Sequence, residues 1–404
     1  MYFVAPSRKN CIINGTKSGI GGIGELLVIP DLKAHISDTG HLVLTDKFLS
    51  GMSAYAERWP GAVTAMLMIS DTPDSNLDHV EISPGVFPFN VESTTGEQEA
   101  LATRMRQASI VLGGSLRVAG ARQVGVKEYS ICTQRQIISA DVSSYVRRWK
   151  RSIEAIVLDW QERCVAGQLA GIQCNGIPTY SIFKKLNPNT MLFFDSRIEE
   201  NDLIALDALG QRATKLLAGG PLRLTFTGRL VRRKGADVLP EVAAELRRLG
   251  VRFEMSICGG GECEQQIARD LREKALEGHV RMLGVLKYRE KLLPFVRENV
   301  DLFVCPHVQG DPSCTYIETM ACGVPIVGYA NEAWEGMAEL SRAGWVTPMK
   351  NPKLLAARIA ELDQNRQALV DAAKAARTFA AEHLFERTID RRIEHMLSCL
   401  QPPQ

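Results

Sequence analysis

The sequence predicts an α/β protein of two doubly wound, Rossmann-like domains facing each other across a cleft. Three observations predict it. From residue 222 onward, short apolar runs alternate with amphipathic stretches, the pattern of a parallel sheet covered on both faces. Before residue 222 the same alternation recurs less regularly. The chain has 404 residues, and at about 150 residues per domain that suggests two or three domains. With 45% hydrophobic and 23% charged residues, the composition is that of a globular protein and excludes a disordered or fibrous chain. Lys and Arg total 48 against 46 Asp and Glu, a net charge of +2. That balance argues against a nucleic-acid coat, whose affinity rests on neutralising phosphates. It leaves room for a local basic patch.

The elements follow in order. In the first half, candidate strands are Tyr2–Val4, Leu42–Leu44, Val63–Ile69, Ile110–Leu112, Tyr129–Cys132, Ile172–Cys174 and Met191–Phe194. A helix is expected from Glu25, after Gly19-Ile20-Gly21-Gly22-Ile23-Gly24. Asp71 to Thr95 contains four prolines or glycines and little periodicity, so a long functional or mobile loop is expected there. Val142, Val146, Trp149, Ile153, Ile156 and Trp160 follow an amphipathic helical spacing, interleaved with Arg147, Arg148, Lys150 and Arg151. Two readings stand: a buried apolar stripe with a solvated face, or a basic patch facing anionic lipid or a phosphorylated acceptor. Ala213 to Pro221 reads as the inter-domain linker.

The second half is more regular. Leu222–Phe226 is a strand and Asp237–Leu249 a helix stopped by Gly250. Val251, Phe253, Met255 and Ile257 alternate as a strand, followed by Gly259-Gly260-Gly261 and a helix from Cys263 to Leu276. Then come a strand at Val280–Leu283, a helix at Glu290–Arg297 and a strand at Asp301–Cys305. A helix at Ser313–Ala321, a strand at Pro325–Val327 and a helix at Glu332–Arg342 complete the alternation. Phe385 to Leu400 is helical, with Ile389, Ile393, Met396 and Leu400 on one face. The expected domains are 1–218 and 219–384, with 385–404 as a terminal helix.

No run reaches the roughly 18 apolar residues of a membrane-spanning helix. At the start, an apolar run precedes Ser7-Arg8-Lys9-Asn10, the reverse of a secretory signal. The expected compartment is therefore the cytoplasm. The ten cysteines contain no Cys-x-x-Cys pair, and most sit in apolar runs as small buried hydrophobes. No metal site is expected.

Three segments could carry chemistry. The Gly-x-Gly-x-x-Gly at Gly19 to Gly24 could serve a nicotinamide-linked oxidoreductase, but polar residues, not a strand, precede it. Thr227 to Gly235 lies between a strand and a helix, where doubly wound sheets bind ligands. Arg229 could offer a diphosphate a bidentate fork and Lys234 a point charge. A solvated basic loop is the other reading of the same residues. Glu318 lies on an otherwise apolar helix, and a carboxylate there needs a partner, either sugar hydroxyls or a basic side chain. Amides at the start of that helix would aim at an anion.

Together these residues resemble the nucleotide-sugar half of retaining glycosyltransferases of the GT-B fold, specifically glycosyltransferase family four. Gly228-Arg229-Leu230-Val231 through Lys234-Gly235 resembles the family's Gly-Arg-Leu…Lys-Gly loop. Ile257-Cys258-Gly259-Gly260-Gly261 resembles its Gly-x-Gly turn, and Val280 to Val285 its nucleobase-side loop. Glu318-Thr319-Met320-Ala321-Cys322-Gly323-Val324-Pro325-Ile326-Val327 resembles its Glu-Ala-Met-Ala-Cys-Gly-x-Pro-Val-Val signature. In the first half, Gly21 and Gly22 resemble the glycine loop placed near the acceptor and the leaving phosphate. Gln173-Cys174-Asn175-Gly176 resembles an Asn-Gly turn near the domain boundary.

The resemblance implies that Arg229 and Lys234 hold the donor diphosphate and that Glu318 binds the ribose. Gly228, Gly259, Gly261 and Val285 would line the nucleotide pocket, and Ser313, Cys314 and Thr315 would add donors to the phosphate. The first glutamate of the family's Glu-x7-Glu pair falls at Gly310, with Asp311 beside it; either Asp311 takes over by a one-residue shift or the sugar contact is lost. No general base is assigned, because Ile110–Leu112 is followed by Gly113-Gly114-Ser115 rather than histidine. The implied activity is transfer of a hexose from a UDP-sugar or GDP-sugar, without metal or other cofactor, to a glycan, lipid-linked or small-molecule acceptor. The terminal helix would cross back to the first domain. Peripheral contact with the inner face of a membrane would run through Arg147 to Arg151. A nucleotide-sugar binder without transferase activity is the alternative, motivated by Gly310.

Overall fold

Two sheets organise the chain in the computed structural model, which describes residues 24–72, 79–82, 87–94, 97–114, 125–129, 145–310 and 312–400. The first half opens with β1 (Leu26–Ile29), β2 (Lys33–Ile36), β3 (Leu42–Thr45), α1 (Asp46–Arg58) and β4 (Val63–Ser70). It continues through β5 (His79–Ile82), β6 (Asn90–Thr94), α2 (Gln98–Gln107), β7 (Ile110–Gly113) and β8 (Gly125–Tyr129). It closes with α3 (Tyr145–Ala166), β9 (Gly171–Asn175), α4 (Ile177–Phe183) and β10 (Thr190–Phe193). The strand order is β10-β9-β8-β7-β1-β4-β2-β3-β5, with β6 also on β4. Pairing is parallel from β10 to β2, while β2/β3 and β3/β5 are antiparallel. Sequence order reverses at β1/β7, so β1 and β7 flank this sheet's switch point.

The second half begins with α5 (Leu206–Leu217), β11 (Leu222–Thr227), α6 (Leu239–Arg248), β12 (Phe253–Cys258) and α7 (Glu264–Glu273). β13 (Val280–Gly284), α8 (Leu293–Asn299), β14 (Leu302–Cys305), α9 (Cys314–Ala321) and β15 (Ile326–Tyr329) follow. α10 (Glu332–Ser341), β16 (Gly344–Thr347), α11 (Pro352–Gln364), α12 (Arg366–Glu382) and α13 (Phe385–Ser398) complete it. Its sheet is wholly parallel, in the order β13-β12-β11-β14-β15-β16. The switch point lies between β11 and β14. A central parallel strand is covered on both faces, and β11 shows it: Leu222, Leu224, Thr225 and Phe226 are all buried.

Helix ends carry their expected chemistry. Thr45 Oγ1 accepts the Phe48 amide at the start of α1, and Asn331 Oδ1 accepts the Trp334 amide at the start of α10. Pro240 sits in the first turn of α6.

Several sequence expectations are corrected. Glu25 leads into a strand, β1, not a helix. The strand–glycine–helix order of a dinucleotide site is therefore absent at Gly24. The stretch from Asp71 to Thr95 holds two strands, β5 and β6, rather than a structureless loop. Most of the expected linker at Ala213–Pro221 is the end of α5. That helix packs with the second half. The Arg212 guanidinium donates to the Cys322 carbonyl at 2.9 Å and the Arg297 carbonyl at 3.1 Å, and Phe194 and Ile198 already belong to the second core. The chain thus changes halves after β10, not at residue 218. Ile153, Ile156 and Trp160 on α3 are exposed, not a buried stripe; Trp160 is 66% exposed. The expected strand at Tyr2–Val4 lies outside the described residues, as does Val142, and nothing is described of the side chains of Arg147 to Arg151.

α13 returns to the first half, where Ile389, Ile393 and Met396 join the core. Arg58 anchors it by ion pairs to Asp390 at 3.0 Å and Glu386 at 3.6 Å. The halves also touch directly. A Cβ on Gly176 would lie 2.7 Å from Pro312, and one on Gly336 would lie 2.7 Å from Ile177. Among the described residues, no helix is long and apolar enough to cross a membrane.

Candidate active site at the switch point of the second sheet

In a parallel sheet every strand delivers its following loop to the same edge. β11 delivers Gly228 to Gly235 there, β12 delivers Gly259 to Gly261, β13 delivers Val285 and β14 delivers Pro306 to Gly310. The β11 and β14 loops flank the switch point, the crevice where open α/β sheets take ligands.

Backbone hydrogen bonds zip the first loops together. The Gly228 amide donates to Cys258 at 3.0 Å, Leu230 to Gly260 at 2.9 Å, and Gly259 to Gly284 at 2.7 Å. This approach requires glycine. Gly259 has φ +141°, and a Cβ on it would stand 1.9 Å from the Gly228 carbonyl oxygen. A Cβ on Gly261, at φ +153°, would stand 2.7 Å from the Leu230 carbonyl oxygen. Gly235 brings the basic loop onto the β14 loop, since a Cβ there would meet the Pro306 carbonyl oxygen at 1.9 Å. Val285 is 69% exposed on this edge, an apolar surface beside Gly260.

Gly228, Gly259, Gly261 and Val285 are thus brought together. The Arg229 side chain is exposed and makes no hydrogen bond or ion pair among the described residues. Lys234 is 8% exposed and lies close enough to the His307 ring to disfavour its protonation. Burial, with Lys234, holds the His307 pKa well below its usual value, so the ring is neutral. Its Nδ1 lies 3.2 Å from the Tyr316 hydroxyl, while Nε2 is buried without a partner among the described residues.

Glu318 lies on the inner face of α9 and is 9% exposed. Its partner is basic: Arg197 Nε stands 3.3 Å from Oε1. The guanidinium also stacks over Tyr288, 4.2 Å from the ring centroid. Tyr288 begins a π-helical turn, Tyr288–Leu292, of the kind found at functional sites. Burial pushes the Glu318 carboxyl above its usual range, and Arg197 and Lys47 act against that. Ser313, Cys314 and Thr315 form the start of α9, whose first amides have no intrahelical acceptor. Lys47, from α1 in the first half, reaches this point. Its Nζ pairs with Asp195 and lies 3.3 Å from Cys314 Sγ. Burial raises the Cys314 pKa to about 12, so the thiol is protonated.

Gly21, Gly22 and Asp311 lie outside the described residues. Sequence reasoning missed Lys47, Asp195, Arg197, Tyr288 and His307. One signal was available: Asp195-Ser196-Arg197 follows a strand directly, as ligand-edge residues do. Nothing local marks Lys47, whose partners lie far along the chain. Among the described residues, no group of three or more His, Cys, Asp or Glu could hold a metal ion. The arrangement can gather positive charge from Arg229, Lys234 and a helix N-terminus at one crevice.

Residues 210–379 match the family described as glycosyl transferases group 1. The WcaL protein of Salmonella typhimurium, named for colanic acid biosynthesis, is 26% identical over 189 residues, 45% of this chain and 46% of that protein. The match thus spans about half that relative's length. The amylovoran biosynthesis glycosyltransferase AmsK of Erwinia amylovora is 25% identical over 314 residues, 76% of this chain and 69% of that one. HepE of Anabaena, solved with UDP, superposes with a TM-score of 0.61 at 14% identity, covering 93% of this chain and 99% of that chain. Sucrose-phosphate synthase of Thermosynechococcus elongatus gives 0.62 at 14% identity over the same shares. The fold is therefore GT-B, and residues 210–379 match the family of glycosyl transferases group 1.

Proposed function

We propose that the protein transfers a hexose from a UDP-sugar or GDP-sugar to a glycan or lipid-linked acceptor, with retention at the anomeric carbon, in polysaccharide biosynthesis. The observation that carries this reading is that the loop bearing Arg229 and Lys234 follows β11 and the start of α9 follows β14, the two strands that flank the switch point. The family match over residues 210–379 supports it. So do the names of WcaL and AmsK and the UDP and UDP-glucose complexes of HepE.

The chemistry needs a stabilised leaving group more than a nucleophile. As the glycosidic bond breaks, negative charge grows on the diphosphate. Arg229, Lys234 and the α9 amides meet that charge without reorganising, the role a metal plays elsewhere. The acceptor oxygen approaches from the face that the diphosphate leaves, which retains the configuration. Closure of the halves excludes water and limits hydrolysis. Arg229→Ala lowers turnover of UDP-hexose or GDP-hexose by about a hundredfold, on the scale of losing one oxyanion donor. Normal turnover in that variant contradicts the assignment.

Gly310 and the Arg197 hold on Glu318 favour a second reading, a nucleotide-sugar binder without transfer. Measurable turnover by the wild-type chain removes it. The reading also places α3 on an anionic membrane surface. Exposed Ile153, Ile156, Val157 and Trp160 would enter the interface, with Arg147, Arg148, Lys150 and Arg151 on the same helix for the headgroups. Co-sedimentation with phosphatidylglycerol vesicles that Trp160→Glu leaves unchanged would count against it.

A further inference from the structure

Glu318, the carboxylate that the transferase reading gives to the ribose, already has a partner. Arg197 stands where the chain leaves β10 and enters the second half. Its Nε and Nη2 donate to one carboxylate oxygen, Oε1, at 3.3 and 3.4 Å. Two residues earlier, Asp195 pairs with Lys47 and accepts from the Cys314 thiol at 3.7 Å. Cys314 and Glu318 lie one turn apart on α9, so this crossing segment holds two successive positions of that helix.

Arg197 is itself fixed in place. Its guanidinium lies 4.2 Å from the centroid of the Tyr288 ring, and its carbonyl accepts from Arg289 Nη2 at 3.1 Å. Arg289 in turn pairs with Glu199 and Asp202, both at 2.7 Å. On the other side, the Asp195 amide donates to Asn175 Oδ1 at 3.1 Å. The main chain is thus held before and at Arg197, and the guanidinium has a defined place above Glu318.

Two features say what the pair does. The Glu318 side chain is 11% exposed against 35% for Arg197. A carboxylate so buried tends to keep a proton. Burial does push Glu318 above its usual range, and Arg197 is the strongest group acting against that. An ionised carboxylate only accepts hydrogen bonds, so both hydroxyls of a vicinal pair can donate to it. The second feature is that Arg197 takes Oε1 alone. A carboxylate offers about four lone-pair sites on its two oxygens, so capacity remains beside the guanidinium. Displacing Arg197 would instead strand a buried charge. Sharing the carboxylate is therefore the cheaper arrangement for a nucleotide.

We propose that Arg197 is a positioning residue for the nucleotide: it orients the Glu318 carboxylate and balances its charge so that both ribose hydroxyls can donate to it. The proposal rests on the transferase reading above, with Glu318 as its ribose contact, and adds the residue that prepares that contact.

The test is calorimetric titration of the full chain with UDP and with its 2′,3′-dideoxy analogue, which lacks the ribose hydroxyls. GDP and its dideoxy analogue take their place if the wild type binds GDP instead. Four proteins are compared: wild type, Arg197→Met, Glu318→Gln and the double variant. Arg197→Met keeps an unbranched side chain against Tyr288 and removes the charge. The double variant leaves no stranded carboxylate, so it reports even where Arg197→Met fails to fold. Arg197→Met and Glu318→Gln are each expected to weaken UDP binding about tenfold, the step from charge-assisted to neutral hydrogen bonds. The double variant is expected to bind UDP no more weakly than Glu318→Gln, because the two residues act through one contact. The dideoxy analogue is expected to bind all four proteins equally. Three results overturn the proposal: unchanged UDP affinity in Arg197→Met, additive losses in the double variant, or a loss for the dideoxy analogue as large as that for UDP. The last would mark a merely structural role. A wild type that binds neither UDP nor GDP contradicts the transferase reading, whereas any of the three results beside a wild type that binds contradicts the role of Arg197 alone.

Discussion

Burial decides the protonation of His307 at the edge of the second sheet's crevice, and the same holds for two histidines near α13. His383 is held near a pKa of about 4 by burial, with Arg391 adding to it, and burial also lowers His395. All three bind protons more tightly when unfolded. Their contribution to stability is therefore complete above the unfolded histidine value of about 6.5 and is lost as pH falls toward the folded values. Urea unfolding at pH 7, 6 and 5 should show stability falling with pH, by up to about 1.4 kcal/mol per unit for each such histidine. His307→Gln should flatten that slope by one histidine's share, and an unchanged slope would contradict neutral burial. At this scale the sequence made some residues legible and not others. Arg229 and Lys234 announce themselves because they follow a strand directly. The partner of Glu318 does not, because Arg197 lies 121 residues away and only the fold brings it near.

Loops show the same division among the elements. The glycines at Gly228, Gly259 and Gly261 are readable from the chain because backbone approach at a ligand edge needs residues without Cβ. Gly259→Ala puts a Cβ 1.9 Å from the Gly228 carbonyl oxygen at φ +141°, so the two loops must separate. The expected outcome is a loss of at least about 1–3 kcal/mol of stability from strain alone, together with loss of nucleotide binding. Urea titration and UDP binding of the variant check both, and wild-type values in both would contradict the zipped-loop geometry. Strands β5 and β6 were not legible. β5 is a partly exposed His-Val-Glu-Ile segment whose identity comes from antiparallel pairing with β3, a tertiary property. β1 was hidden because Glu25 and the preceding glycines resemble a helix start, whereas Leu26 to Ile29 are buried between β4 and β7. On α3 the apolar spacing was right for a helix, but periodicity cannot say whether an apolar face meets a core.

The whole molecule places a crevice at the switch point of each sheet and joins them through Lys47, Asp195 and Cys314. The near-zero net charge concealed this, because a sum over 404 residues says nothing about charge gathered at one sheet edge. The two-sheet plan was legible from alternation. The path of the chain between halves was not, because the end of α5 reads as an inter-domain linker, whereas it is a helix packed on the second half. The central claim is that the second crevice holds a nucleoside diphosphate through Arg229. A ligand bound only by the folded state stabilises it by about 2.7 kcal/mol at a hundredfold excess over its dissociation constant. Thermal unfolding of the wild type and of Arg229→Ala, with UDP, GDP and ADP, reads this directly. The account predicts that UDP or GDP raises the wild-type midpoint and raises that of Arg229→Ala far less; no shift with any of the three, or an equal shift in the variant, would contradict it.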